Sequence, residues 1–224
     1  MKISFLHFQL LTAILTVAIL AGCDKVNTTV KYKVTFNFNW NQNDYASDYP
    51  SNAHFSKLIG WSHKPDNDFF ENGTLASAGI QSMAETGQTE TLEVELRSKI
   101  EAGEGYLQIV GSSLGSGVGE IEIEIEVDQT NSAITLATMI APSPDWYVAI
   151  VNIDLQHGGE FIKELTVEAQ SYDAGTDSGT DFTSPNSPSS PKGVIGDLQY
   201  SSLGDLGAVG SFSQSIALVT IKKK

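Results

Sequence analysis

The stretch from Glu120 to Asp128 constrains the fold more than any other part of the chain. Its sequence is EIEIEIEVD, so apolar residues and carboxylates alternate strictly. Successive side chains of a β-strand point to opposite faces of a sheet, and this period therefore predicts a strand with one buried and one charged face. Carboxylates on one face of a single strand lie about 7 Å apart and cannot converge on one ion without a partner strand. We therefore interpret the glutamates as a solvated face and not as a metal site.

Alternation of the same kind runs from Val30 to Trp40 (VKYKVTFNFNW), where apolar and aromatic residues occupy every second position. Similar but shorter patterns predict strands at Thr91–Leu96, Tyr106–Val110, Ala133–Ile140, Tyr147–Ile153, Ile162–Ala169 and Ser215–Ile221. One short helix is predicted around Leu75–Glu85, ended by Gly87. Many short strands with so little helix predict an all-β fold, an antiparallel β-sandwich. A strand follows the Pro/Ser-rich stretch Ser184–Pro191, which is therefore a long connection within one domain.

The first residues have the features of a bacterial lipoprotein signal peptide. Lys2 precedes an apolar run, Phe8–Ala21, which is shorter than the roughly 20 residues of a membrane span. The run ends in Leu-Ala-Gly-Cys, which resembles a lipobox, and Cys23 is the single cysteine of the chain. We expect residues 1–22 to be the signal peptide, and residues 23–29 to be the acylated Cys23 with a short linker. The expected location is the bacterial cell envelope, lipid-anchored in the outer membrane or at the cell surface rather than in the inner membrane.

The charge of the chain argues against nucleic-acid binding. The formal net charge is -14, and only 13 residues are Lys or Arg. Phosphate binding requires clustered basic residues, so we expect no nucleic-acid partner. An acidic surface does raise the local concentration of cations, which permits a metal site without locating it.

Three motifs suggest catalysis but lack the context that catalysis needs. Gly111–Gly115 matches the G-x-S-x-G pattern of serine hydrolases, yet a strand is predicted after it instead of a helix. Asp177–Thr180 reads D-S-G-T, as in aspartic proteases, but its nearest counterpart, Asp173–Thr176, lies in the same loop and cannot supply the second half of a dyad. The histidines show no zinc-ligand spacing, and His54 and His63 in HFSKLIGWSH are interpreted as structural. We therefore expect no catalytic residues and no enzyme activity.

Aspartates in two predicted loops are the candidates for a metal site. Asp173, Asp177 and Asp181 are spaced by four residues among Gly, Ala, Ser and Thr, which lets the chain fold back on itself. Calcium takes six to eight oxygen ligands, so two aspartates from one loop are too few. Asp145, in a Pro-Ser-Pro-Asp-Trp turn between two predicted strands, could join them because loops at one end of a sandwich converge. Spacing alone makes this calcium site a hypothesis.

These residues also carry a resemblance to a known family, and the matching stretches follow one another in the family's order. They are Tyr32–Trp40, Asp48–Pro50, His54–His63, Ala76–Gly87, Met139–Trp146, Trp146–Val151, Asp173–Gly179 and Ser184–Pro188. The chain resembles the spondin N-terminal domain of F-spondin and mindin, extracellular matrix proteins of animals. The resemblance covers roughly Thr29 to Ile221, and it identifies residues 30–224 as a spondin domain.

The resemblance implies a C2-like antiparallel sandwich of about eight strands with a calcium ion bound at one end. By resemblance, the metal ligands are Asp145, Asp173 and Asp177, while Asp181 lies outside the motif. The chain lacks the cysteines and the thrombospondin repeats of the animal proteins. It is expected to act in adhesion or ligand binding, with an extracellular protein or glycan as its partner. The lipid on Cys23 is expected to anchor it to the membrane. The alternative is a structural envelope component in which the metal only stabilises loops.

Overall fold

The computed structural model of the protein describes residues 28–44, 49–198 and 215–224. The apolar run Phe8–Ala21 and Cys23 lie outside these residues, so the signal peptide and the acylation site stay predictions. None of the helices in the described part of the chain is long and apolar enough to cross a membrane.

The described residues form thirteen strands and two helices. In chain order they are β1 (Val30–Asn39), β2 (His54–Phe55), β3 (Ile59–His63), α1 (Ala78–Thr86), α2 (Glu90–Glu101), β4 (Gly105–Val110), β5 (Val118–Val127), β6 (Ala133–Ala141), β7 (Trp146–Asp154), β8 (Gln156–His157), β9 (Glu160–Phe161), β10 (Glu164–Glu168), β11 (Gln170–Asp173), β12 (Gly196–Asp197) and β13 (Ala217–Lys223). All the strand pairings are antiparallel, and the two large sheets share one apolar core. The predicted antiparallel β-sandwich is confirmed.

The smaller sheet has four strands in the order β10-β13-β1-β5. Its alternation follows the sequence: in β5 the apolar residues from Ile121 to Val127 are buried, while Glu120, Glu122 and Glu124 are exposed. The exposed glutamates face lysines of neighbouring strands. Glu122 pairs with Lys33 of β1, and Glu126, Glu124 and Glu164 form similar pairs with Lys31, Lys224 and Lys222. Cross-strand pairs of opposite charge thus neutralise much of this face.

The larger sheet has the order β12-β11-β7-β6-β3-β4, and β2 also pairs with β6. Its central strand β6 reads AITLATMIA, and all nine residues are buried. A strand that is buried along its whole length requires cover on both faces of its sheet. One face packs against the four-stranded sheet, where the Phe38 and Phe55 rings lie 3.9 Å apart. The opposite face packs against the two helices.

Helix α1 confirms the predicted short helix, with bounds shifted by a few residues. The Ser77 hydroxyl caps its first turn by accepting a hydrogen bond from the Ile80 N–H at 3.1 Å. Gly87 ends it with a φ of 69°, in the left-handed region that glycine adopts without a Cβ clash. Ile80 and Met83 face the sheet and are completely buried.

The prediction of a strand at Thr91–Leu96 is wrong, because these residues lie in helix α2. In the sequence TLEVEL, Leu92, Val94 and Leu96 alternate with glutamates, which is typical of a strand. The burial follows the helical period instead: Leu92 and Leu96 are completely buried, and Ile100 is packed against them, whereas Val94 is 57% exposed. Residues four apart share a helix face, so Leu92 and Leu96 fit both the strand pattern and the helix pattern.

Substitution of the two helix faces tests this assignment. We expect Leu96→Ala to lower the free energy of unfolding by about 2–4 kcal/mol, because it leaves a cavity between α2 and the sheet. The matched substitution Val94→Ala removes an exposed side chain and should change it by less than about 0.5 kcal/mol. Urea denaturation of both variants measures the difference. Equal losses would contradict a helix with one buried face.

Candidate metal site at the aspartate loops

The antiparallel pairing of β7 with β11 brings Asp145 and Asp173 to the same edge of the larger sheet. Asp173 is the last residue of β11 and lies opposite Trp146, the first residue of β7. Asp145 directly precedes Trp146, and its carbonyl oxygen accepts a hydrogen bond from the Ala174 N–H at 3.1 Å. Two residues that are far apart in the sequence therefore become neighbours at the sheet edge.

The Asp-Ala-Gly and Asp-Ser-Gly tripeptides form the same local turn. The Gly175 N–H donates to Asp173 Oδ1 at 2.7 Å, and the Gly179 N–H donates to Asp177 Oδ1 at the same distance. An aspartate that binds the backbone two residues ahead is a side-chain mimic of a backbone turn. Gly175 has a φ of 71°, and a Cβ there would lie 2.6 Å from the Gly193 carbonyl carbon. The first turn therefore requires glycine for both conformation and space.

Asp145 holds the loop that contains these turns. Its side chain is completely buried, and its Oδ2 atom accepts hydrogen bonds from the Thr176 N–H at 2.6 Å and from the Asp177 N–H at 3.0 Å. The Thr176 hydroxyl donates to the same oxygen at 3.1 Å. One carboxylate oxygen thus fixes the chain between the two turns.

The second carboxylate oxygen of Asp145 lacks such a partner. Oδ1 is buried and accepts no hydrogen bond from the described residues. Burial, with the negative charge of Asp173 as a second cause, raises the pKa of Asp145 to about 6, although the bonds from Thr176 and Asp177 act in the opposite direction. A cation would stabilise the charged form of Asp145, because one of its buried oxygens has no partner and a second carboxylate lies nearby.

Asp177 and Asp181 are engaged in bonds within their own loop. Asp177 Oδ2 accepts the Ser187 N–H at 2.7 Å, so the Pro/Ser-rich connection folds back onto the Asp-Ser-Gly turn. The Ser189 N–H also donates to the Thr176 carbonyl at 2.9 Å. Asp181 Oδ1 accepts the Thr183 N–H at 3.2 Å. These two carboxylates therefore organise the loop that covers the site.

The oxygen atoms left open at this edge are Asp145 Oδ1 and Asp173 Oδ2, since no described group donates to either. Within residues 28–44, 49–198 and 215–224, no three His, Cys, Asp or Glu side chains are gathered as a metal would require. The structure thus brings Asp145 beside the loop of Asp173 and Asp177 without turning all three carboxylates to one point. Carboxylate and backbone oxygens are the donors that calcium prefers, and in this respect the residues fit that ion.

Two residues of this region were not identified from the sequence. Thr176 binds Asp145 through both its N–H and its hydroxyl, and Ser187 binds Asp177 through its N–H. Thr176 could have been identified from its position between two Asp-x-Gly turns. No spacing rule points to Ser187, because its contact depends on how the Pro/Ser-rich connection folds.

The motifs that suggested catalysis occupy unsuitable positions. Gly111–Gly115 lies between β4 and β5, so it is a loop between strands and not the strand-to-helix turn of a serine hydrolase. His63 is completely buried, and its two ring nitrogens lie 2.7 Å from the Lys64 carbonyl and 2.9 Å from the Thr135 hydroxyl. This histidine therefore joins β3 to β6 and cannot be reached by a substrate.

Comparison with known proteins finds a matching family and several relatives. The family described as Spondin_N matches residues 30–207. Spondin-2 of Homo sapiens is 31% identical over 176 residues, which are 77% of this chain and 53% of that protein. Spondin-1 of Rattus norvegicus is 33% identical over 176 residues, which are 75% of this chain and 21% of that protein. The chain therefore spans about half the length of the first relative and about a fifth of the second.

The pKa of Asp145 predicts a pH dependence of stability in the presence of a chelator. Its folded value of about 6 lies above the ordinary value of about 3.9, so the folded protein keeps a proton that the unfolded chain loses. This contribution is complete below about pH 4 and is lost as the pH rises through 6, by roughly 3 kcal/mol. Chemical denaturation at several pH values, compared with Asp145→Asn, isolates it. An unchanged pH dependence in Asp145→Asn, with Asp181→Asn as control, would contradict the prediction.

Proposed function

The chain belongs to the Spondin_N family, and we propose that it is a calcium-binding, lipid-anchored protein of the bacterial cell envelope that acts in adhesion or ligand binding. The spondin domain contains the calcium site, and Cys23 carries the lipid anchor. The partner is an extracellular protein or a glycan. No role in catalysis is proposed.

The observation that supports calcium binding is the buried Oδ1 atom of Asp145, which has no hydrogen-bond donor among the described residues. Burying a charge without a partner costs several kcal/mol, and a bound cation removes that cost. Asp173 adds a second carboxylate, and its Oδ2 atom is also open. Asp145 and Asp173 would hold the ion through these open oxygens, and Asp177 through the remaining lone pairs of its hydrogen-bonded carboxylate. Carbonyl oxygens and water would complete the coordination.

Calcium would act here by fixing the shape of a loop surface. The start of β7, the end of β11 and the connection from Ser184 to Pro191 all meet at Asp145 and Asp177. An ion shared between them holds three segments of the chain in one arrangement. Loops positioned by a rigid sheet are the usual place for binding residues.

A structural role in the envelope is the alternative, in which the ion only stabilises these loops. It is favoured by the bonds from Thr176 and Asp177 to Asp145, because they hold the loop without any partner. Ligand binding requires that calcium removal abolish binding while the domain stays folded. A structural role requires only that calcium removal lower stability.

Thermal unfolding with and without calcium tests the site. At a calcium concentration of 100 times the dissociation constant, binding should add about 2.7 kcal/mol, which corresponds to a midpoint increase of about 5–10 °C. We expect Asp145→Asn and Asp173→Asn to abolish this increase, since each removes an anionic oxygen. Asp181→Asn is the matched control and should keep it. No calcium-dependent shift in the unsubstituted protein would refute the site.

Mass spectrometry of the mature protein and membrane fractionation test the lipid anchor. Expressed in a Gram-negative bacterium, the full chain should yield a product that begins at Cys23 and carries a diacylglyceryl group, and it should remain with membranes at high salt. Cys23→Ala should abolish acylation and processing at this position. A mature protein that begins elsewhere, or that lacks lipid on Cys23, would overturn the anchor without affecting the calcium site.

A further inference from the structure

A polar network outside the aspartate loops joins residues 64–77, the connection between β3 and α1, to the larger sheet. His63, the last residue of β3, is completely buried, and its Nε2 atom lies 2.9 Å from the Thr135 hydroxyl of β6. The Oδ1 atom of Asp68, in the connection, lies 2.8 Å from the same hydroxyl and 3.7 Å from Nε2. The Asn152 N–H of β7 donates to this hydroxyl at 2.8 Å. Thr135 therefore stands between a histidine and a carboxyl group.

The Thr135 hydroxyl has one hydrogen, and two neighbouring groups need it when the network holds no further proton. The Lys64 carbonyl, 2.7 Å from His63 Nδ1, can only accept, so Nδ1 carries a hydrogen and Nε2 of the neutral ring is an acceptor. An ionised Asp68 is also only an acceptor. With a neutral His63 and an ionised Asp68, one acceptor is therefore left without a donor, 3.7 Å from the other.

One additional proton satisfies every group of the network. On Asp68 it makes the carboxyl a donor to Thr135, and the hydroxyl then donates to His63 Nε2. The hydroxyl oxygen still accepts the Asn152 N–H with its second lone pair. The same proton on His63 would reverse both bonds, but it leaves a charged ring that is completely buried, which is costly. The geometry therefore accommodates one proton, and burial favours the uncharged pair with the proton on Asp68.

The electrostatic surroundings act in the same sense. Burial is the largest cause that lowers the pKa of His63 and raises the pKa of Asp68. The attraction between the two groups opposes both shifts without reversing them. The titratable groups around the cavity beside Asp68 are two carboxyls of the connection, a lysine of α2 and the carboxyl paired with that lysine: Asp66, Glu71, Lys99 and Glu104. The first two raise the pKa of Asp68 further, and the lysine lowers the pKa of His63 further.

The connection that the network holds covers part of the larger sheet. The Phe70 ring lies 5.2 Å from each of the Tyr147 and Tyr172 rings. The Asp66 N–H donates to Asn152 Oδ1 at 3.0 Å, and these two residues have positive φ angles of 69° and 50°. Backbone in this region persists only where its surroundings hold it. The network and the contact between Asp66 and Asn152 together keep the connection on the sheet.

We propose that Asp68 is the protonated member of the network and that its proton acts as a pH-sensitive latch between the connection and the larger sheet. The Asp68 side chain is 20% exposed, so its proton can exchange with water. When Asp68 ionises, it takes the Thr135 hydrogen and leaves His63 without a donor. The bonds of the latch are therefore complete below the pKa of Asp68 and are lost as the pH rises through it. This inference is independent of the proposed calcium site and lipid anchor.

Nuclear magnetic resonance of the full chain in detergent micelles tests where the proton lies. The ring nitrogens of His63 report whether Nε2 carries a hydrogen, and the carboxyl carbon of Asp68 reports its ionisation; His63→Gln and Asp68→Asn assign the two signals. Between about pH 4 and pH 8, where free Asp and His side chains titrate, we expect His63 to stay neutral with a bare Nε2 while Asp68 titrates with a raised pKa. An imidazolium form of His63 anywhere in this range, or an Asp68 that titrates like an exposed aspartate, would overturn the inference.

Hydrogen exchange of the Asp66 amide tests whether the proton acts as a latch. We expect its protection factor to fall several-fold as the pH rises through the pKa of Asp68, because the connection loses a contact with the sheet. Asp68→Asn puts an amide donor in place of the carboxyl and should keep the low-pH protection at every pH. Glu71→Gln is the matched control, since it removes a carboxyl of the same connection and should retain the pH dependence. A protection factor in the unsubstituted protein that does not follow the ionisation of Asp68 refutes the latch, whether or not the variants fold.

Discussion

Burial of the larger sheet on both faces is the constraint on which the rest of the structure depends. All nine residues of β6 are buried, so neither face of this strand can be exposed to water. The four-stranded sheet covers one face, and α1 and α2 cover the other through residues such as Ile80 and Leu96. A two-layer sandwich without the helices would expose Trp61 and Tyr147. The second helix is therefore required by the sheet, even though its own sequence alternates like a strand.

Burial also gives Asp145 its properties. It stands immediately before β7 and binds the loop of Thr176 and Asp177, and its carboxylate is completely buried. A buried charge is tolerated only where polar groups or a cation compensate it. Three donors from Thr176 and Asp177 compensate one oxygen, and nothing in the described chain compensates the other. The pKa of Asp145 is raised because burial and the nearby Asp173 disfavour the charged carboxylate more than these hydrogen bonds favour it.

How much the sequence could predict depends on whether a residue's environment is set locally. The alternation in β1 and β5 predicted both strands and their buried faces, since one covered face is enough to produce it. The pattern of Thr91–Leu96 was ambiguous, because Leu92 and Leu96 satisfy a period of two and a period of four. The proximity of Asp145 to Asp173 followed from resemblance and from loops converging at one end. The bond from Ser187 to Asp177 depends on how the Pro/Ser-rich connection folds back, which no periodicity encodes.

The two carboxylate oxygens of Asp145 have different roles, and this affects how a cation would act at the site. Oδ2 is committed to the Thr176 and Asp177 backbone, and this holds the loop in place before any ion binds. Oδ1 remains for the ion, so the backbone around Asp145 would need little rearrangement, whereas the Asp173 and Asp177 carboxylates would have to turn toward the ion. A preorganised site loses less conformational entropy on binding than a loop that must fold around its ligand. Calcium would therefore act mainly by neutralising Asp145 and Asp173 and by stiffening a surface that the protein already presents.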